Sequence, residues 1–102
     1  MATQEVHLND IGTALRVTIE EDGTALDIST ATTKQILLVK PSMTKLTKSA
    51  VFVTDGSDGV IEYVTIAGDL DELGAYSIQG YIVMPGWAGH SEVKQFKVYR
   101  NL

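Results

Sequence analysis

The sequence predicts an all-β domain folded as a two-sheet sandwich, and three observations carry that expectation. Apolar and polar residues alternate with a period of two, as where Leu15, Val17 and Ile19 interleave with Arg16, Thr18 and Glu20. Turn signals punctuate the chain about every 8–12 residues. No stretch places apolar residues at helical spacing. The 102 residues make one domain, and a chain of that size buries roughly 60–70% of the surface it exposes when unfolded.

Residues 1–8 form an arm whose end, 4–8, serves as an edge strand, and 9–102 form the single sandwich. Residues 15–20 are the first long strand. Glu21-Asp22-Gly23-Thr24 turns the chain, because Asp-Gly accepts the two positive-φ positions of a tight hairpin. A short strand over 25–28 follows. Residues 29–33 are small and polar, a loop or a single helical turn capped by Ser29. The unbroken run Ile36-Leu37-Leu38-Val39 predicts a central strand over 34–40, covered on both faces. Pro41 ends it, since proline cannot donate to a ladder.

Residues 42–48 read as a connection anchored by Met43 and Leu46. Strands over 49–54 and 60–66 flank the loop Asp55-Gly56-Ser57-Asp58-Gly59. Residues 67–73 are an acidic loop or one helical turn, and Gly74 permits a sharp bend after it. Residues 75–84 alternate, with Tyr76, Ile78, Ile82 and Met84 on one face and Ser77, Gln79, Tyr81 and Val83 on the other. Pro85-Gly86-Trp87-Ala88-Gly89 turns the chain into a last strand over 91–99. The sum is seven or eight strands.

Glu72-Leu73-Gly74-Ala75-Tyr76-Ser77-Ile78 has the acid-x-Gly-x-Tyr-x-apolar pattern that leads into strand F of immunoglobulin-like sandwiches, where the tyrosine hydroxyl bonds to upstream backbone. Gly74, Tyr76 and Ile78 are therefore expected to define a fold corner. Antibody-type domains have a cysteine where Ile78 stands; this chain has no cysteine, so aliphatic packing must join the sheets there. The same absence excludes a disulfide framework, a Cys-based zinc site and a thiol nucleophile.

Eight Lys and Arg against thirteen Asp and Glu give a net charge of −5. That balance argues against general nucleic-acid binding and against an anionic membrane surface. The apolar run at 36–39 falls far short of the ~20 residues needed to span a bilayer. The N-terminus is neither basic nor followed by an apolar stretch, so no signal peptide is expected. The charges are segregated along the chain. Residues 28–54 hold Lys34, Lys40, Lys45 and Lys48 and no acid, whereas 49–93 hold Asp55, Asp58, Glu62, Asp69, Asp71, Glu72 and Glu92 and no base. Either these segments neutralise each other as neighbouring strands, or a basic face of one copy meets an acidic face of another, head to tail. Lys40, Lys45, Lys48, Asp69, Asp71 and Glu72 are the charged candidates for such an interface.

Chemistry-bearing motifs are sparse. No glycine-rich phosphate loop is present. His7 and His90 are isolated, without metal-ligand spacing. Asp55-x-Ser57-x-Gly59 resembles a calcium loop only at its start, because the position that needs a bidentate acid is Ile66. Asp69, Asp71 and Glu72 offer paired carboxylates for acid–base work, but a solvated acidic turn explains them without any chemistry. Ser57 lacks the strand-turn-helix setting of a nucleophile. The expectation is a protein that is not an enzyme and needs no cofactor. Trp87 invites two readings: an aromatic anchor for a partner, or a ring folded back over the open end of the sandwich. Paired with Tyr81, it would make a sugar-stacking platform, and the chain a carbohydrate-binding module.

Four stretches carry a resemblance that runs the length of the chain. They are Asn9-Asp10-Ile11-Gly12-Thr13-Ala14-Leu15, Glu21-Asp22-Gly23-Thr24-Ala25-Leu26-Asp27-Ile28-Ser29-Thr30-Ala31, Val39-Lys40-Pro41-Ser42 and Gly68-Asp69-Leu70-Asp71-Glu72-Leu73-Gly74-Ala75-Tyr76. Together they resemble the small immunoglobulin-like domains of tailed-bacteriophage structural proteins, and most of all the N-terminal domain of baseplate upper proteins. The resemblance implies a virion protein, assembled in the bacterial cytoplasm, that docks on other virion proteins and on copies of itself. Baseplate upper proteins continue into a stalk and receptor-binding platform, whereas this sequence ends at Leu102. The expectation therefore widens from tail or baseplate to head decoration, neck or fibre attachment.

Overall fold

The computed structural model of the protein describes residues 6–101; the expected arm over residues 1–5 lies outside the described residues. The regular structure is all β: β1 (Val6–His7), β2 (Ala14–Thr18), β3 (Glu20–Glu21), β4 (Thr24–Ala25), β5 (Thr33–Val39), β6 (Lys45–Ser49), β7 (Val51–Phe52), β8 (Val60–Val64), β9 (Gly74–Met84), β10 (Trp87–His90) and β11 (Lys94–Tyr99). The large sheet runs β1-β11-β9-β5-β6, with β10 also paired to β9; the small sheet runs β2-β8-β7. Every pairing is antiparallel except β1 on β11.

Period-two patterning sorts the side chains. In β2, Leu15 and Val17 are buried and Arg16 and Thr18 exposed, and Ile19 is fully buried just beyond. They face Ile36 and Leu38 of β5, Tyr76, Ile78 and Ile82 of β9 and Val98 of β11 across the core. Each fully buried aliphatic side chain contributes about 1.5–3 kcal/mol. The two sheets pack tightly at Gly80, where an added Cβ would lie 2.9 Å from Ile19 Cδ1 and 3.0 Å from Val17 Cγ1.

The expected strand count was lower because two long strands are interrupted. β6 and β7 are one run of chain that changes sheets at the buried Ala50, whose N–H is given to Lys34 O at 2.9 Å. β10 and β11 are one strand broken by a bulge: His90 pairs with Tyr81 and Lys94 with Ile78, so Glu92 and Val93 together oppose Gln79. Ser91 holds the bulge, its hydroxyl accepting the Gly80 N–H, while Gln79 Nε2 donates to Ser91 O. The Asp-Gly turn joins β3 to β4 with φ of 53° at Asp22 and 79° at Gly23, both positive as a tight hairpin requires.

Four expectations are corrected. β5 is central but covered on one face only: Ile36 and Leu38 are fully buried, whereas Gln35, Leu37 and Val39 are half-buried on the outer face, where no further layer of described chain lies. Residues 45–49 are a strand, not a connection, and Met43 anchors nothing, being 74% exposed with φ of 73°. Of the two readings of 29–33 the loop holds and the helical turn does not: 29–32 are turns and bends, Thr33 opens β5, and Asp27, not Ser29, caps the local backbone by accepting the Ser29 N–H. Of the strand expected over 49–54, Ser49 ends β6 and only Val51 and Phe52 form β7, since the chain is leaving one sheet for the other.

One side of the sandwich is laced shut by the strand that changes sheets. The other is open: β2 and β11 flank an apolar cleft of about 210 Å³ with Val6, Leu15, Ile78 and Phe96 in its walls.

Candidate functional site

The turn over 66–72 and the chain over 40–48 meet at one end of the sandwich and bring most of the charged candidates together. Lys40, at the end of β5, is buried and donates to Asp71 Oδ1 at 2.7 Å and to Gly68 O at 2.9 Å. Its ammonium is held above the ordinary lysine value, first by the bond to Asp71, against the opposing pull of burial. Lys48 points inward from β6, reaches Asp69 Oδ1 at 3.1 Å and lies 5.6 Å from the centre of the Tyr63 ring. Glu72 accepts both the N–H and the hydroxyl of Ser42.

Asp69 is the centre of this cluster. It is 3% exposed, and the Tyr63 hydroxyl and the Ile66 N–H both bond to its Oδ2. Burial pushes the carboxyl up, but the bonds from Ile66, Tyr63 and Lys48 outweigh it and hold the group below the usual carboxylate range. Burial pushes the Tyr63 phenol up to about 12, with Asp69 beside it acting in the same direction. The carboxylate is thus shielded from solvent, with bonds on both of its oxygens. The cluster's demonstrable work is structural: it ties β6 of the large sheet to β8 of the small one. The fully solvated acidic turn is thus corrected, because Asp69 and the neighbouring Leu70 are buried.

The segregated charges therefore meet inside the chain. Lys40, Lys48, Asp69, Asp71 and Glu72 are all engaged there, and of the six charged candidates Lys45 alone stands exposed without a bonded partner. Glu62, another acid of the supposed acidic face, lies elsewhere, paired to Arg16 at 2.7 Å on the small sheet.

The three corner residues occupy one short stretch of β9. Gly74 has φ of 117°, and an added Cβ would press on Pro41 at 3.3 Å. Tyr76 is fully buried, its ring stacks on Phe96 at 5.4 Å, and its hydroxyl accepts the Glu72 N–H at 3.0 Å. Ile78 is buried between the sheets and pairs across the ladders with Leu38 and Lys94.

Trp87 does not sit at a loop tip. It opens β10 opposite Met84, and the tip is Pro85-Gly86. The half-buried ring packs against the core and lies over Gly89, where an added Cβ would come within 2.6 Å of it. Residues directly opposite in a ladder share a face. Trp87 and Gly89 are thus on the inner face with Met84 and Ile82, and Tyr81 is on the outer face with His90, the two rings 4.6 Å apart. Trp87 and Tyr81 cannot form one stacking platform. Among the described residues no three His, Asp or Glu side chains converge to hold a metal ion.

Comparison with models of known protein families and with curated proteins finds no match for the chain.

Proposed function

We propose that the chain is an immunoglobulin-like sandwich serving as a structural or accessory protein of a tailed-phage virion, without enzymatic activity, and docking on the particle through surface complementarity. The observation that carries the fold part is the strand order β1-β11-β9-β5-β6 against β2-β8-β7, joined to the Tyr76–Glu72 corner bond. The functional part rests on the four stretches of sequence resemblance. It is supported by where apolar surface remains. Val51 and Val64 are exposed on the outer side of the small sheet, and Ile11 and Ile66 adjoin its end. Exposed apolar side chains of this kind suit contact with another protein. The partners in this reading are other virion proteins and further copies of the chain, the site of action is the particle, and head, neck, fibre and tail positions all remain within it. The test is fractionation of purified particles: the protein travels with them through a density gradient. A protein found only as free subunits, absent from washed particles, would overturn the proposal.

A further inference from the structure

All six residues over 20–25 are exposed, and β3 and β4 pair with nothing but each other. An isolated two-stranded ribbon is marginal in water, yet the chain sets one up with a matched turn and puts Glu20, Glu21 and Asp22 on it. The loop over 53–59 adds Asp55 and Asp58 beside Asp27, the two segments being joined by the Ile28 N–H to Gly56 O at 2.8 Å. Among the described residues none of these six acids is ion-paired.

The other end of the large sheet has the opposite character. β5 leaves the acidic end at Thr33 and reaches Val39 about 20 Å away. There it pairs with Lys45, and Lys97 of β11 lies two strands across, opposite Ala75. Both lysines are exposed on the outer face, and neither has a carboxylate partner. The same face holds a shallow apolar groove of about 150 Å³, walled by Leu37, Val39, Thr47, Gln79 and Val93 with Lys45 at its rim. Val93 lies there, 60% exposed, at the bulge in the last strand. The chain thus carries acids without a cation partner on the side where it enters β5, and an apolar groove with two lysines that lack a carboxylate partner towards the other end of that strand.

We infer that copies of this chain associate head to tail, the β3–β4 hairpin of one copy seated in the outer-face groove of the next with Glu20, Glu21 and Asp22 against Lys45 and Lys97. Such a contact joins two different patches, so it repeats into a ring or an open row, and it weakens as salt screens it. The inference builds on the docking reading above by naming one partner. Its test uses the purified chain alone, so failure here is distinct from failure to travel with particles.

The experiment is sedimentation velocity over a concentration series in low and in high salt. The expected result is concentration-dependent association at low salt that returns to monomer at high salt. Glu20→Lys with Glu21→Lys, and separately Lys45→Glu with Lys97→Glu, are each expected to be monomeric. Both pairs lie on exposed positions, and circular dichroism checks that each variant keeps its fold. Mixing the two variants restores association, because each then offers the charge the other lacks. A wild-type chain that stays monomeric at every concentration in low salt would overturn the inference. So would association indifferent to salt and reversal, or a mixture that stays monomeric.

Discussion

The Tyr76 hydroxyl accepts the N–H of Glu72, four residues upstream, at 3.0 Å, and this bond fixes the chain where it enters the longest strand of the molecule. Tyr76→Phe keeps the ring and its stacking on Phe96 but leaves a backbone donor without its acceptor. The expected loss is about 1–2 kcal/mol, from the cost of a partly buried donor left unsatisfied. Denaturant unfolding checks it: the midpoint falls and the slope stays unchanged.

Asp69 makes stability depend on acid. Its folded-state value lies below the ordinary 3.8, so as pH falls the unfolded chain takes up the proton first. The stability it contributes is therefore complete above the unfolded value and is lost as pH drops through the folded one. Unfolding midpoints measured from about pH 6 down to about pH 3 are expected to fall steeply at the acid end, and Asp69→Asn flattens that limb. Asp69→Ala at neutral pH strands Lys48, the Tyr63 hydroxyl and the Ile66 N–H together, and is expected to cost about 3–5 kcal/mol.

At Gly80 the two sheets leave no room for a methyl group. Gly80→Ala is expected to destabilise by about 1–3 kcal/mol through overpacking. Ile19→Val trims one of the obstructing atoms, so the double variant loses less than the sum of the two single ones. Gly59 gives a harsher result, since its φ is +74° and an added Cβ would meet the Ile19 and Leu26 carbonyl oxygens at 2.8 Å. Those are backbone atoms that cannot rotate away, and Gly59→Ala is expected to leave little folded protein at 37 °C.

Trp87 is the only tryptophan, so its emission reports its own packing. Gly89→Ala displaces the ring and is expected to shift the emission to the red. Trp87→Ala costs about 2 kcal/mol, near half the value for a fully buried ring. An unshifted spectrum in Gly89→Ala would mean that the ring does not lie over Gly89 in solution.

Alternation carried most of the fold into view. The rows Leu15–Val17–Ile19 and Tyr76–Ile78–Ile82 needed only the period of two, and Asp22-Gly23 needed only turn chemistry. β6 was missed because its inward row is Leu46 and Lys48, and a lysine on a core face breaks the pattern. Its ammonium is accommodated only because Asp69 waits across the sheets, a pairing 21 residues away that no local window shows. Gly80 hid for a similar reason: the meeting of two sheets is not written in the residues beside it. Trp87 was misplaced by one turn position, since Pro85-Gly86 alone turns the chain and the tryptophan already belongs to the ladder. Of the charged candidates, the residue types were legible, but their satisfaction within the chain depends on the turn over 66–72 folding back on 40–48.

The strand that crosses from one sheet to the other at Ala50 gives the sandwich a spine, and the cleft between β2 and β11 is its fore-edge. Two covers bound along one side separate from the other. Amide exchange is therefore expected to be fastest along β2 and the start of β11 and slowest on the inner strands β5 and β9. Anything that pries the sheets apart, whether heat, force or a strand seeking an edge, enters from the unbound side.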